Sequence, residues 1–194
     1  MITGIDEAGR GPLAGPVVAA AVILDPQRPI QGLADSKQLS QKKREALAEQ
    51  IKTQALAYGI GIVDHQMIDQ INILQASLLA MQHAFEQLSI RPTLALIDGL
   101  YCPTLPCSTQ AIVRGDTSIP AISAASILAK VTRDAIMVDM DALYPVYGFA
   151  QHKGYPTKAH RLAIQQYGLC HIHRLSFSSQ KTARHFRTTP PNET

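Results

Sequence analysis

Short apolar runs bounded by turn residues recur along the chain and predict five β-strands. They cover residues 2–7, 17–24, 56–63, 93–97 and 110–113. Each run is shorter than a typical helix, and Val, Ile and Ala dominate most of them. Residues 26–37, which begin with a proline, predict an irregular loop between the second strand and the next element.

Longer segments with a different spacing predict helices. Apolar residues at intervals of three and four between positions 68 and 88 predict a helix with one buried face. Ser40 is a favourable N-cap for a helix over 41–54, and Gly168 ends a predicted helix over 157–167. Residues 122–143 predict a long helix that starts with small residues. Strands that come first and then alternate with helices predict an α/β fold, with a mixed central sheet flanked by helices.

The size and composition favour one globular domain over residues 1–187, followed by a disordered tail over 188–194. The chain has 194 residues, of which 46% are hydrophobic and 17% charged. The start resembles no signal peptide, and the apolar run at 17–24 is too short to span a bilayer. We therefore expect a cytoplasmic protein and a monomer. The three cysteines favour ordinary thiols over a zinc site built from Cys102, Cys107, Cys170 and His171 or His173.

Charge is distributed unevenly. The net charge is +3, but residues 151–187 contain no Asp or Glu, seven Lys or Arg and five of the seven histidines. A basic C-terminal part, about 145–187, suits contact with a polyanion such as a nucleic acid. A charge-biased surface without a ligand is the alternative.

Four carboxylates stand where predicted strands end. Asp6, Glu7 and Asp98 lie at strand ends, and Asp116 lies just past another. Taken singly, an Asp before a Gly is often only a turn residue. Together, four acids at one sheet edge predict a site that binds two Mg²⁺ or Mn²⁺ ions and uses them to hydrolyse a phosphodiester. We expect Glu7 to be the last strand residue, with its side chain turned back towards Asp6.

Two neighbouring motifs suit a nucleic-acid substrate. Gly9 and Gly11 allow the backbone to approach a ligand closely, and Arg10 can meet a phosphate. A dinucleotide-binding loop is rejected because the glycine spacing is wrong and Pro12 lacks an amide proton. Tyr155, between a lysine and a turn, can stack on a sugar or a base. A tyrosine that only covers the core is the alternative.

The order of motifs resembles bacterial ribonuclease HII, the type 2 ribonuclease H family. The matching segments are Asp6-Glu7-Ala8-Gly9-Arg10-Gly11-Pro12-Leu13-Ala14-Gly15-Pro16, Asp35-Ser36-Lys37, Ile97-Asp98-Gly99, Gly115-Asp116, residues 119–134 and His152-Lys153-Gly154-Tyr155-Pro156-Thr157. The resemblance implies a ribonuclease H-like fold with a small helical C-terminal segment. It also implies an endonuclease that hydrolyses the RNA strand of RNA–DNA hybrids. Such an enzyme incises 5′ of ribonucleotides embedded in duplex DNA, leaving 3′-hydroxyl and 5′-phosphate ends.

The resemblance also assigns roles to residues. The implied metal-binding carboxylates are Asp6, Glu7, Asp98 and Asp116. Gly9, Arg10 and Gly11 correspond to the loop that senses the ribose 2′-hydroxyl, and Tyr155 to a tyrosine that stacks on the neighbouring deoxyribose. Lys37 and Ser126 correspond less closely to residues that contact backbone phosphates.

Two further expectations follow from the resemblance, and two hypotheses compete with it. The type 3 enzymes carry an extra N-terminal substrate-binding domain, so the start of this chain favours type 2. Many relatives bind a sliding clamp through a C-terminal motif. Residues 190–194 show no aromatic clamp-binding pattern, so a sliding clamp stays a possible partner without a recognised motif, and no obligate protein partner is evident. The competing hypotheses are another metal nuclease on the same sheet, such as a junction resolvase or an exonuclease, and a non-catalytic hybrid-binding protein.

Overall fold

The structure, a computed structural model, describes residues 1–33 and 38–177 and contains a five-stranded mixed sheet. The strands are β1 (Ile2–Ala8), β2 (Val17–Ile23), β3 (Ala57–Val63), β4 (Leu94–Asp98) and β5 (Ser108–Ile112). Their spatial order is β3-β2-β1-β4-β5. The β1–β2 and β2–β3 pairs are antiparallel, whereas β1–β4 and β4–β5 are parallel. The predicted mixed sheet is therefore confirmed. Lys37 and the predicted tail lie outside the described residues.

Six helices and one 3₁₀ turn complete the described chain. They are α1 (Gln41–Gln54), α2 (His65–Glu86), α3 (Gly115–Ser118), α4 (Pro120–Leu143), α5 (Phe149–His152), α6 (Lys158–Tyr167) and the turn Leu175–Phe177. Ser40 caps α1 as predicted, and Thr157 caps α6 by accepting a hydrogen bond from the His160 amide. The sequence did not predict α3, α5 or the 3₁₀ turn, because three or four residues are too few to show a helical period.

Helices cover both faces of the sheet. α2 packs on β2 and β3 on one side, and α4 packs on β1 and β2 on the other, with α1 against α4. All seven residues of β2 are buried, which explains why its sequence is continuously apolar rather than alternating. A Cβ atom at Gly61 would overlap the Ala80 carbonyl oxygen, so a glycine here lets α2 approach β3 closely. Among the described residues, no helix is both long and apolar enough to cross a membrane.

Several strand boundaries differ from the prediction by one or two residues. β1 continues through Ala8, so Glu7 is not its last residue, and Asp98 is itself the last residue of β4. β5 begins at Ser108, two residues earlier than predicted, because this edge strand is mostly exposed and lacks an apolar pattern. Asp116 does not follow a strand directly but lies in the first turn of α3.

The C-terminal part of the described chain forms a small core of its own and holds the loop between β1 and β2. This core contains Ala14, Met137, Tyr144, Tyr147, Phe149, Ala163, Ile164, Leu169, Cys170 and Ile172. Backbone hydrogen bonds join the loop to it, from Leu13 N to Gly154 O (2.8 Å) and from Gly15 N to Ile172 O (2.9 Å). The loop over residues 9–16, called the glycine loop below, is thus fixed on both sides.

Candidate active site

Asp6 lies deep in the sheet, on the face that α4 covers. Two residues earlier on that face, Gly4 packs so closely against α4 that a Cβ atom would overlap the Ala121 backbone. Asp6 is 5% exposed, and the Ser126 side chain on α4 hydrogen-bonds to it. Burial raises the pKa of Asp6 well above its usual value, and the charges of Glu7 and Asp98 raise it further.

Glu7 belongs to the same group of charges although it lies within the strand. Its amide donates to Asp6 Oδ1 (2.7 Å), and its side chain interacts with the Asp6 carboxyl, as expected from the sequence. Burial raises the pKa of Glu7; Arg10 opposes this rise, and Asp98 adds to it. Glu7 Oε1 lies 3.5 Å from Arg10 Nη1. Within the described residues, the buried Oε2 atom of Glu7 has no hydrogen-bond partner.

Asp98 connects the end of β4 to the short helix that carries Asp116. Asp98 Oδ1 accepts hydrogen bonds from the amides of Gly115 (2.8 Å) and Asp116 (3.4 Å). Asp116 is 6% exposed, and the Ser123 hydroxyl donates to its carbonyl oxygen. The carboxylates of Asp6, Glu7 and Asp98 therefore interact through their charges, and Asp116 is tied to them through the backbone.

The chemistry of these acids fits a divalent cation. The Asp6 carboxyl, whose pKa is raised by burial and by the charges of Glu7 and Asp98, and the Glu7 oxygen that lacks a partner would both be stabilised by a positive charge placed among them. Hard cations such as Mg²⁺ prefer oxygen ligands of this kind. Over residues 1–33 and 38–177, however, no three His, Cys, Asp or Glu side chains are gathered as in a metal centre. The acids thus form a charged group rather than a finished ligand cage.

The glycine loop and Tyr155 form one continuous surface beside these acids. Gly9 has a φ of 103°, a conformation that favours glycine, and a Cβ atom at Gly11 would lie 3.8 Å from Tyr155 Cε1. Tyr155 is 37% exposed. Lys130 Nζ and the Arg133 guanidinium carbon lie 5.6 and 5.7 Å from the centre of its ring. The two motifs predicted to face the substrate are therefore neighbours.

The remaining predicted substrate contacts fall in different surroundings. The Arg10 side chain is half exposed and free to meet a phosphate apart from its long contact with Glu7. Ser126 is 6% exposed and turned to Asp6, which does not suit the phosphate contact implied for it, and that contact stays a prediction.

Two buried arginines, Arg133 and Arg174, hold the glycine loop, and the sequence predicted neither role. Arg174 is fully buried and donates to the carbonyl oxygens of Gly9 (2.6 Å), Arg10 (3.1 Å), Gly15 (2.9 Å) and Pro16 (3.1 Å). Burial, with the charge of Arg133, lowers its pKa to about 9. Arg174 is one of the seven basic residues of 151–187, but its buried charge does not contribute to a basic surface. A charged residue is normally predicted to be exposed. Arg174 is buried because carbonyl oxygens of the glycine loop accept its hydrogen bonds.

A pair of buried histidines holds the backbone at Tyr155. The Cys170 amide donates to His173 Nδ1 (2.9 Å), so His173 carries its proton on Nε2 and donates it to His160 Nε2 (3.0 Å). His160 Nδ1–H then donates to the Tyr155 carbonyl oxygen (3.0 Å). Burial lowers the pKa of His160 to about 4 and that of His173 to about 3. Both are neutral at pH 7 and add nothing to the positive charge expected of this region.

Comparisons with known proteins agree with this geometry. The family model described as Ribonuclease HII matches residues 3–180. A relative named Ribonuclease HII from Coxiella burnetii is 60% identical over 186 residues, which cover 96% of this chain and 92% of the relative.

Solved structures share the fold. The ribonuclease H2 of Pyrococcus horikoshii OT3 matches with a TM-score of 0.74 and 26% identity, over 94% of this chain and 95% of that one. The RNase HII of Archaeoglobus fulgidus, solved in a complex with PCNA, matches with a TM-score of 0.74 and 25% identity, over 93% and 96%. This chain belongs to the ribonuclease HII family. It is a hydrolase, an endonuclease of the ribonuclease H type that cleaves the RNA strand of RNA–DNA hybrids.

Proposed function

We propose that this ribonuclease HII also incises duplex DNA on the 5′ side of a single embedded ribonucleotide, leaving 3′-hydroxyl and 5′-phosphate ends. One observation carries the proposal. The backbone at Gly11 faces the Tyr155 ring directly, so a loop that can approach a sugar and a ring that can pack on one lie side by side. A single ribonucleotide followed by a deoxyribonucleotide offers one sugar of each kind.

The reading of the ribose is assigned to the backbone of Gly9, Arg10 and Gly11. The 2′-hydroxyl both donates and accepts hydrogen bonds and distinguishes RNA from DNA. Backbone groups can bind it whatever the base is, provided that no Cβ atom keeps the sugar away. Because Arg174 binds the carbonyls of Gly9 and Arg10 from behind, the loop keeps its shape before the substrate arrives.

The reading of the next sugar is assigned to Tyr155. A flat ring packs closely against a deoxyribose, whereas an additional 2′-hydroxyl would separate the two surfaces. The ring is exposed enough to be reached and is flanked by the cations of Lys130 and Arg133, which also suit a nearby phosphate.

Asp6, Glu7, Asp98 and Asp116 are proposed to hold two Mg²⁺ or Mn²⁺ ions. Ribonuclease H enzymes depend on divalent metals, and such ions, when bound, activate a water and stabilise the leaving oxygen. The protein's part is to bring these four acids, from β1, β4 and α3, to the same end of the sheet. Asp98 keeps α3 and therefore Asp116 in place through its two backbone hydrogen bonds. Arg10 is proposed to bind the phosphate next to Glu7, and Lys37 remains a predicted phosphate contact outside the described residues.

We further propose that residues 1–187 act as one catalytic domain, with the part from about 145 along the nucleic-acid backbone, and that the enzyme works as a monomer in the cytoplasm. The Archaeoglobus fulgidus relative in complex with PCNA makes a sliding clamp the partner to test. Gel filtration with and without the host clamp would show a shift of both proteins if such a complex forms.

The decisive experiment is cleavage of a 5′-labelled DNA duplex that contains one ribonucleotide, beside an all-DNA duplex of the same sequence. With Mg²⁺ or Mn²⁺ we expect one cut 5′ of the ribonucleotide, no cut in the control and none with EDTA. Cleavage of the all-DNA duplex would instead favour another metal nuclease. A folded protein that binds the duplex without cutting it would favour a non-catalytic role.

A further inference from the structure

We infer that Arg133 is a positioning residue that sets the preference for a ribose followed by a deoxyribose. It holds the glycine loop and Tyr155, the two elements proposed to read these sugars, in a fixed position relative to each other. The inference rests on the function proposed above for those two elements. Arg133 lies on α4 and its side chain is fully buried. Its position within a long helix does not by itself indicate a role at the substrate surface.

The hydrogen bonds of Arg133 reach two separate segments of the chain. Nε donates to Pro16 O (2.9 Å) and Nη2 to Ala14 O (3.1 Å), both in the glycine loop. Nη1 donates to Lys153 O (3.0 Å), two residues before Tyr155. One planar guanidinium therefore fixes the distance between the loop and the turn that carries Tyr155.

Arg133 also contacts the two sugar-reading elements themselves. A Cβ atom at Gly9 would overlap its Nε, so the first residue of the loop lies directly on the guanidinium. The guanidinium carbon lies 5.7 Å from the centre of the Tyr155 ring, within the range of a cation–π contact. A shift of the loop, of the turn or of the ring thus changes the surroundings of the same buried group.

A lysine cannot replace this arrangement. Arg presents five donors in a fixed plane, whereas Lys presents three donors around one point on a flexible stem. Arg133→Lys keeps the positive charge but cannot reach Ala14, Pro16 and Lys153 together. Arg174→Lys is a matched control, since Arg174 is equally buried and binds loop carbonyls, yet its guanidinium lies over Phe177 (5.1 Å) rather than over Tyr155.

The test compares two substrates under single-turnover conditions, a duplex with one ribonucleotide and a continuous RNA–DNA hybrid. Only the first presents a deoxyribose after the ribose. For Arg133→Lys we expect the ratio of the two rates to fall about tenfold, whereas Arg174→Lys should lower both rates by a similar factor. In Tyr155→Ala, the additional change Arg133→Lys should leave the ratio unaltered. An unchanged ratio in Arg133→Lys, or independent effects of the two changes, would overturn the inference.

One comparison and one alternative measurement separate failure of this inference from other failures. If the unmodified enzyme fails to cut at single ribonucleotides, the proposed function fails; if it cuts there and Arg133→Lys retains the ratio, only this inference fails. If Arg133→Lys does not fold, NMR of the Arg133 Nε–H group tests the inference instead. The ¹⁵N-labelled protein carries Asp98→Asn, so that it binds the substrate but cleaves it very slowly. Binding of the single-ribonucleotide duplex should shift that resonance, and Tyr155→Ala should reduce the shift. A shift of unchanged size without Tyr155 would contradict the inference.

Discussion

The acidic end of the sheet and the glycine loop lie next to each other but are stabilised in opposite ways. At the sheet end, buried carboxyls repel one another and one oxygen of Glu7 lacks a partner among the described residues. Around the loop, backbone carbonyls are bound by Arg133 and Arg174, and the turn at Tyr155 is bound by His160. The first region suits a cation among its acids, whereas the second is held by hydrogen bonds within the protein. We therefore expect that the proposed chemistry and the proposed sugar recognition can be changed separately.

The strongest test of this separation is Asp98→Asn. We expect cleavage to fall roughly a thousandfold, since loss of a charge that is proposed to bind metal costs several kcal/mol at the transition state. The asparagine oxygen can still accept the hydrogen bonds from Gly115 and Asp116, so folding should be retained. Binding of the hybrid should stay or increase because a negative charge near phosphate is removed. Single-turnover rates and hybrid affinity measure the two effects.

Asp64→Asn is the matched control for that change. Asp64 also caps a helix with its carboxylate, accepting a hydrogen bond from Met67 N (2.8 Å) at the start of α2. Asparagine caps helices as well as aspartate does, so this variant should cut normally. If Asp98→Asn lost binding together with activity, a role of Asp98 in folding would replace its role in catalysis.

The next test uses pH, to which the two regions respond with opposite signs. His160 has a folded pKa of about 4, against 6.5 when unfolded. The unfolded chain therefore binds more protons below pH 6.5, and stability falls as the pH falls towards 4. This shift corresponds to about 3 kcal/mol, and His173 acts in the same direction. Asp6 and Glu7, whose pKa values are raised, favour the folded state on acidification.

Denaturant unfolding in EDTA between pH 7 and pH 4.5 measures the balance. We expect a net loss of stability on acidification, and His160→Gln should weaken this dependence. If the free energy of unfolding depended on pH in the same way in His160→Gln, burial would not be what holds the histidine pair neutral. The expected difference in pH response between the two regions would then have no physical basis.

Tyr155→Ala should reduce cleavage at a single ribonucleotide about tenfold more than cleavage of a continuous hybrid. Stacking of a base on an aromatic ring is worth roughly 1–3 kcal/mol, and the tenfold change expected for packing of a sugar on Tyr155 corresponds to about 1.4 kcal/mol. Tyr58→Ala is the control, because Tyr58 on the edge strand β3 is exposed to nearly the same extent, 39% against 37%. Its substitution should leave the ratio of the two rates unaltered, and a similar change in both variants would remove Tyr155 from the recognition surface.

The sequence predicted the acidic region better than the loop region, for a physical reason. A carboxylate at the end of an apolar strand is conspicuous, so Asp6 and Asp98 could be found from local pattern alone. Arg133 and Arg174 act through backbone carbonyls that are distant along the chain, and a carbonyl has no signature in the sequence. The helices α3 and α5 escaped prediction because they are too short for periodicity. These short helices depend on contacts in the folded protein, such as the hydrogen bond from the Gly115 amide to Asp98.

The smallest expected effect is the most direct measure of repulsion at the sheet end. Glu7→Gln removes one charge beside Asp6 and Asp98 while keeping an oxygen for the contact with Arg10. In EDTA we expect the variant to be about 0.5–1 kcal/mol more stable, as is typical of relieving one charge contact. Added Mg²⁺ or Mn²⁺ should stabilise the unmodified protein, by about 2.7 kcal/mol at one hundred times the dissociation constant, and the variant much less. Equal stabilisation of both proteins would mean that Glu7 holds no metal. The acids would then have to be divided into three that bind metal and one that only pairs with Arg10.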